Sequence, residues 1–152
     1  GEILSWEAYD LFPKETIWIL LHHRVEYQQM NVDKELTANQ KKFLDKIEAD
    51  YILLKFGSYG QAYASAVADR NPRLYKKMLS KPDYRQFIAD KDKHYRHEIS
   101  TRIAVIADKY PFSDRLLRTN KEAWYDIMFR FKAQATPFIN DLIIADSAEY
   151  TG

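Results

Sequence analysis

Apolar residues recur every three or four positions along most of this chain, which is the spacing of one face of an α-helix. A first helix is predicted over residues 13–29, with Pro13 at its first position, where a missing N–H has no partner to lose. A second is predicted from Thr37, which forms a capping box with Gln40, to Gly57, which can end the helix in the left-handed conformation. Its buried stripe would be Phe43, Ile47, Tyr51 and Leu54.

Two short helices with a tight connection are predicted next. Ser58 and Gln61 fit another capping box, and the helix that they open is expected to end near Asp69. Asn71 and Pro72 read as a cap and a first-turn proline, so a second short helix follows them. The side chains expected to face inward from it are Leu74, Tyr75, Met78 and Leu79.

One long helix of about seven turns is predicted over residues 82–109, where apolar side chains keep the helical spacing. Thr119 and Glu122 fit a third capping box, which opens a last amphipathic helix that is expected to stop before Pro137. Residues 138–144 form a short apolar run that fits either a helix or a strand. The chain is therefore predicted to be all-α, a single helical domain over residues 1–152 with about five to seven helices.

Composition narrows the class of protein. The 152 residues include no Cys, which excludes disulfides and thiolate metal sites. The longest apolar run, residues 17–21, is far shorter than the roughly 20 residues of a membrane-spanning helix, and no signal peptide is visible. We therefore expect a cytoplasmic protein without a membrane segment. Gly1 and the last residues, 149–152, suggest a piece cut from a longer protein.

The positive charge is concentrated in the middle of the chain, although the formal net charge is only +1. Residues 70–96 hold nine basic and three acidic side chains, a local charge of +6, so the rest of the chain carries −5. Such clustering favours a phosphate-binding surface, because each contact with a phosphate releases a condensed counterion. A solvated helix surface and an acidic protein partner are the alternatives that the same cluster permits.

The two short helices adjoin this basic stretch and have the order of a helix-turn-helix, within a region spanning residues 35–88. The second of them would then turn Arg73, Lys76 and Lys77 toward the groove of double-stranded DNA. The basic residues predicted to contact nucleic acid are Arg70, Arg73, Lys76, Lys77, Lys81 and Arg85.

Three short segments of this region carry a further signal. They are Leu36-Thr37-x-x-Gln40-x-x-Phe43, Gly60-Gln61-Ala62, and Leu79-Ser80-Lys81-Pro82-Asp83-Tyr84-x-x-Phe87-Ile88. In this order they resemble the N-terminal helix-turn-helix of phage terminase small subunits. The resemblance implies a non-catalytic protein that recognises viral DNA for packaging, assembles into rings and hands the DNA to a large ATPase and nuclease subunit. It also implies that Ser58 and Gln61 open the first helix of the DNA-binding motif.

Two pairs of His and Glu stand four residues apart, His22 with Glu26 and His94 with Glu98, so each pair would share one helix face. Two such helices side by side would offer two imidazoles and two carboxylates to zinc or another metal. The Glu-x-x-His motif of di-iron bundles is missing at both places, so neither a metal site nor a cofactor is predicted. The sequence also has no phosphate loop and no nucleophile elbow, so no catalytic residue is predicted.

Abundant aromatic residues leave a protein-binding role open. Trp6, Tyr9 and Phe12 precede the first predicted helix and would suit docking to a protein partner or to another copy of the chain. The leading interpretation is a DNA-binding helical module that is not an enzyme. The alternatives are a helical adaptor domain that binds protein without nucleic acid, and a metal-binding helical bundle.

Overall fold

The computed structural model describes residues 35–110 and 112–152. This part of the chain holds six α-helices and no strand, which confirms the predicted all-α class. None of the six combines the length and the apolarity needed to cross a membrane. The helix predicted over residues 13–29 and the aromatic residues that precede it lie outside the described residues. The helices are α1 (Ala38–Ala49), α2 (Tyr59–Arg70), α3 (Pro72–Leu79), α4 (Tyr84–Asp108), α5 (Phe112–Thr119) and α6 (Lys121–Ala148).

Helices α4 and α6 form the antiparallel centre of the fold, and α4 confirms the long helix predicted over residues 82–109. In the middle of α4, Tyr95 donates a hydrogen bond to Asp146 near the end of α6, over 2.7 Å. Further along α4, the guanidinium of Arg102 lies 4.3 Å from the ring centre of Phe138. Burial of each large apolar side chain contributes about 1.5–3 kcal/mol, so the contact between the two helices is a main source of stability. Fully buried side chains on them include Ile99, Ile103, Ile106, Trp124, Ile127, Met128 and Ile139.

Helix α1 lies antiparallel on the C-terminal half of α4. Asn39 donates a hydrogen bond to Asp108 over 2.6 Å, and nine residues along α1, Glu48 contacts His97 over 3.2 Å. The predicted capping box at the start of α1 is confirmed, because the Thr37 hydroxyl accepts from the Gln40 amide and the Gln40 side chain accepts from the Thr37 amide. This box is formed within four residues, which is why the sequence alone revealed it.

The end of α1 differs from the prediction. The helix stops at Ala49 rather than near Gly57, and the residue in the left-handed conformation is Lys55, with φ 55°. The side-chain ammonium of Lys132 on α6 donates to the backbone carbonyls of Leu54 and Lys55, over 2.9 and 2.8 Å. A contact from a distant helix therefore fixes this turn, and the prediction that Gly57 ends the helix is wrong.

Replacing Lys55 with glycine is expected to raise the free energy of unfolding by up to about 1 kcal/mol. A non-glycine residue in the left-handed region costs the folded state roughly 1–2 kcal/mol, and glycine removes this cost. The greater conformational entropy of glycine in the unfolded state offsets about 0.5–1 kcal/mol of the gain. The urea midpoint measures the change. Lys41→Gly inside α1 is the control, since it should lose about 1 kcal/mol. Equal losses in both variants would contradict the strain assigned to Lys55.

Two other helix starts depend on asparagine. Asn71 caps α3 as predicted, with its side chain accepting from the Leu74 amide over 3.2 Å. The predicted capping box at Thr119 is wrong, because Thr119 is the last residue of α5, a helix that the sequence did not predict. Asn120 caps α6 instead, accepting from the Ala123 amide over 3.1 Å. A single residue thus separates α2 from α3, and a single residue likewise separates α5 from α6.

Helix α6 continues through Pro137, so the prediction that it stops before this proline is wrong and residues 138–144 are helical. A proline inside a helix removes one hydrogen bond and crowds the preceding turn, at a cost of about 3 kcal/mol. The ring of Pro137 is exposed, whereas side chains on both sides of it are buried in the core. Their burial offsets the cost of the proline. These side chains are Ala135, Phe138, Ile139 and Ile143.

Candidate nucleic-acid interface

The two short helices predicted as a helix-turn-helix are α2 and α3, and they are joined by a single residue, Asn71. A helix-turn-helix usually has a turn of three or four residues, so this pair departs from that motif in its connection. α3 packs chiefly against α2 at the periphery of the molecule. α1, which also belongs to the predicted region 35–88, lies on the other half of α4.

Three basic side chains of α3 form what we call the α3 cationic face: Arg73, Lys76 and Lys77. All three are exposed, while Met78 on the opposite side of α3 is buried. α3 contains no acidic residue, and no carboxylate of residues 35–110 or 112–152 forms an ion pair with this face. Some basic side chains elsewhere are paired with carboxylates, as in Lys42–Asp114, Lys46–Asp50, Arg96–Asp92 and Arg102–Glu98.

The N-terminus of α2 is capped from a distance. Ser58 was predicted to form a capping box with Gln61, but its side chain makes no capping hydrogen bond. The carboxylate of Asp92 on α4 instead accepts from the amides of Tyr59 and Gly60, over 2.7 and 3.2 Å. The predicted box is therefore wrong, and the residue that does the capping stands more than 30 positions away in the sequence.

The structure separates Ser58 and Gln61 from the α3 cationic face. Both side chains are exposed at the first turn of α2, whereas α3 begins just after its last turn. A helix of 12 residues is about 18 Å long, so these two predicted candidates lie at the far end of α2 from the basic cluster.

Arg70 is engaged within the fold. Its guanidinium donates to the backbone carbonyls of Ser147 and Tyr150, over 2.7 and 3.2 Å. Ser147 lies in the last turn of α6, and Tyr150 follows two residues after the helix ends. Arg70 therefore ties α2 to the end of α6, a role that its sequence position did not predict.

The remaining two predicted residues lie beside the α3 cationic face. Lys81 follows α3 and donates from its ammonium to the carbonyl of Gly152, with the Tyr150 ring centre 5.9 Å away. The ammonium of Lys77 also lies close to Gly152, 3.3 Å from the position that a Cβ on this glycine would occupy. Lys77 and Lys81 therefore both approach Gly152. Arg85 is exposed in the first turn of α4. Lys81 and Arg85 thus extend the α3 cationic face toward the start of α4.

A cavity of about 190 Å³ lies where the end of α3, the start of α4 and the end of the chain meet. We call it the junction pocket, and its lining includes Lys81, Asp83, Tyr84, Phe87 and Tyr150. The rings of Phe87 and Tyr150 are 5.8 Å apart between centres and tilted by 48°. The pocket was not predicted, because residues 81–87 and residue 150 are far apart in the sequence and only the antiparallel arrangement of α4 and α6 brings them together.

The histidine and glutamate candidates do not form a metal site in the described part of the chain. His94 is exposed with its ring against Tyr95, and the carboxylate of Glu98 pairs with Arg102. His22 and Glu26 lie outside the described residues. No group of three or more potential metal ligands occurs among residues 35–110 and 112–152.

Comparison with known proteins yields no relative: neither a protein-family model, nor a curated protein, nor a solved structure matches this chain. The function is therefore inferred from the α3 cationic face.

Proposed function

We propose that this protein is a non-catalytic helical module that binds DNA through the α3 cationic face. The observation that carries the proposal is the set of three exposed cations on one eight-residue helix that has no acidic residue. Like charges this close repel one another. Binding of DNA phosphates relieves this repulsion and also releases counterions that were condensed on the DNA.

The size of the face suits a nucleic-acid backbone. An eight-residue helix is about 12 Å long, and a DNA duplex carries one negative charge per roughly 1.7 Å of its axis. A stretch of duplex as long as α3 therefore carries about seven phosphate charges on its two strands, more than the three cations of the α3 cationic face. Phosphates can neutralise all three cations of the α3 cationic face at once. Lys81 and Arg85 continue the positive surface beyond α3.

The resemblance to phage terminase small subunits supports double-stranded DNA as the ligand and a role in DNA recognition rather than catalysis. The single-residue connection between α2 and α3 differs from the turn of a helix-turn-helix. We therefore base the proposal on phosphate contacts and not on insertion of a recognition helix into the major groove.

A protein-binding role is the second candidate, because the turn after α1 and a neighbouring part of α6 expose apolar side chains. Ile52 and Leu53 are 74% and 61% exposed in the turn after α1, and Phe129 on α6 is 43% exposed. Lys132 connects these positions, since it donates to the carbonyl of Leu54 and lies 4.6 Å from the ring centre of Phe129. An adaptor that uses such a surface would bind its partner with little dependence on salt.

Fluorescence anisotropy with a labelled duplex of mixed sequence tests the proposal. Three phosphate contacts give a slope of about −2.7 for log affinity against log salt, so binding should weaken roughly 40-fold between about 50 and 200 mM salt. Each single change, Arg73→Gln, Lys76→Gln or Lys77→Gln, should reduce the magnitude of this slope by about 1. Absence of binding at the lower salt, or a slope that the three changes leave unaltered, would refute the proposal.

A further inference from the structure

The junction pocket stands next to the α3 cationic face and joins it through Gly152, which Lys77 approaches and Lys81 contacts. We propose that this pocket receives an unpaired base of the DNA bound to α3, so that the preferred ligand is a duplex with a single-stranded extension. This inference rests on the proposed function, because the phosphates on both sides of the base would be held by the basic residues at α3.

The aromatic lining supports a base as the occupant. Tyr84, Phe87 and Tyr150 are half-buried, so each ring is packed on one side and keeps part of its surface open. Flat bases stack on such rings regardless of sequence, since every base has a π-face. A duplex cannot present a base face in this way, because its bases are already stacked on their neighbours. The pocket therefore favours a nucleotide outside the paired region.

Two lysines stand beside the aromatic rings. The ammonium of Lys91 lies 4.6 Å from the ring centre of Tyr63 and 5.5 Å from that of Phe87, on the α4 turn after the pocket. Lys81 stands at the rim, and its hydrogen bond to the Gly152 carbonyl is exposed to solvent. Exchange of an exposed hydrogen bond for a charge-assisted bond to phosphate is favourable. Aromatic rings flanked by lysines are the arrangement that single-strand binding proteins use.

The carboxylate of Asp83 determines which way round a nucleotide would lie in the pocket. Asp83 stands at the N-cap position of α4, where a carboxylate usually accepts an amide of the first turn, yet its side chain makes no such hydrogen bond. The exposed carboxylate repels phosphate and can accept a hydrogen bond from the donor groups of a base. A nucleotide would therefore enter with its base toward Asp83 and its phosphate toward Lys81.

The test compares a blunt duplex with the same duplex carrying a single-stranded extension of about six nucleotides, a length within the site sizes of single-strand binding domains. One stacked base should make the extended duplex bind roughly 5-fold to 150-fold more tightly than the blunt one. Tyr150→Ala should remove this difference and leave the affinity for the blunt duplex unchanged. Tyr150→Phe keeps the ring and should retain the difference, and the backbone carbonyl that Arg70 contacts is present in both variants.

A fluorescent base provides a second, independent measurement of stacking in the pocket. With 2-aminopurine at the first unpaired position, stacking should quench its emission on binding in the wild type and in Tyr150→Phe but not in Tyr150→Ala. Circular dichroism of each variant confirms that the helices are intact.

The outcomes separate the two proposals. Equal affinity for the blunt and extended duplexes, with the glutamine variants of α3 still weakening both, would overturn the pocket and leave the proposed function standing. A preference for the extended duplex that Tyr150→Ala does not reduce would likewise overturn the pocket. Failure of both duplexes to bind at about 50 mM salt would overturn both proposals, since phosphate contacts are strongest at low salt.

Discussion

Charge reversal of the α3 cationic face, by Arg73→Glu, Lys76→Glu and Lys77→Glu together, is expected to weaken binding to a mixed-sequence duplex at least about 150-fold. A basic side chain near an anionic surface contributes about 1 kcal/mol, so three lost contacts amount to about 3 kcal/mol, before any repulsion from the new carboxylates. Anisotropy at about 50 mM salt measures the loss, because phosphate contacts are least screened there. The three side chains are exposed, so the fold itself should be preserved.

A matched control removes the same charge from the opposite end of the molecule. Lys41, Lys109 and Lys121 are exposed at the start of α1, the end of α4 and the start of α6. α4 has 25 residues and is about 37 Å long, so these positions are several Debye lengths from α3. Reversing them should weaken binding less than about 10-fold, within the long-range effect of net charge. Equal losses from the two triple variants would show that net charge, not the α3 cationic face, controls binding.

Gly60→Ala is expected to lower the free energy of unfolding by about 2–3 kcal/mol. A Cβ at this position would stand 2.5 Å from the carbonyl oxygen of Ile88 and 2.8 Å from its Cγ2. The carbonyl belongs to the backbone of α4 and cannot rotate away, so α2 has to move outward. Overpacking of this kind costs about 1–3 kcal/mol, and the movement also stretches the hydrogen bonds from Tyr59 and Gly60 to Asp92, which as a helix cap contribute about 1 kcal/mol.

Gly57→Ala is the matched control for that change. A Cβ on Gly57 meets nothing within 4 Å, and Gly57 is not among the described residues with positive φ. The same substitution should therefore leave stability unchanged or raise it by up to about 1 kcal/mol, because alanine has fewer unfolded conformations. Urea unfolding of both variants measures the contrast. Similar stabilities for the two would mean that α2 and α4 do not approach as closely as described.

Sequence reasoning succeeded where the controlling interactions are local. The capping box of Thr37 and Gln40 and the asparagine cap at Asn71 each involve residues three apart, so the spacing of residue types is sufficient to identify them. The long helix α4 was predictable for a related reason, because the apolar spacing is sustained over many turns. The cluster of basic residues was also visible, since it depends only on counting charges along the chain.

Three of the wrong predictions share one physical cause, which is that distant contacts outweighed local preferences. Pro137 stops helices in general, but burial of the apolar side chains around it offsets the lost hydrogen bond. Ser58 is a good capping residue, but the carboxylate of Asp92 caps the helix instead, through the amides of Tyr59 and Gly60. Lys132 holds the turn at Lys55, where the sequence indicated that glycine would be needed.

The composition and periodicity of this sequence determined its helical class, most of its helices and the region of its positive charge. The tertiary structure alone decided which of the exposed basic residues are engaged within the fold: it ties Arg70 to the end of α6, whereas Arg73, Lys76 and Lys77 form no ion pair with a described carboxylate. It also formed the junction pocket, by bringing Tyr150 to within 5.8 Å of Phe87 between ring centres. The physical reason is the sequence distance over which each interaction acts. Capping and helical periodicity involve residues a few positions apart, whereas packing energy depends on which distant segments come into contact.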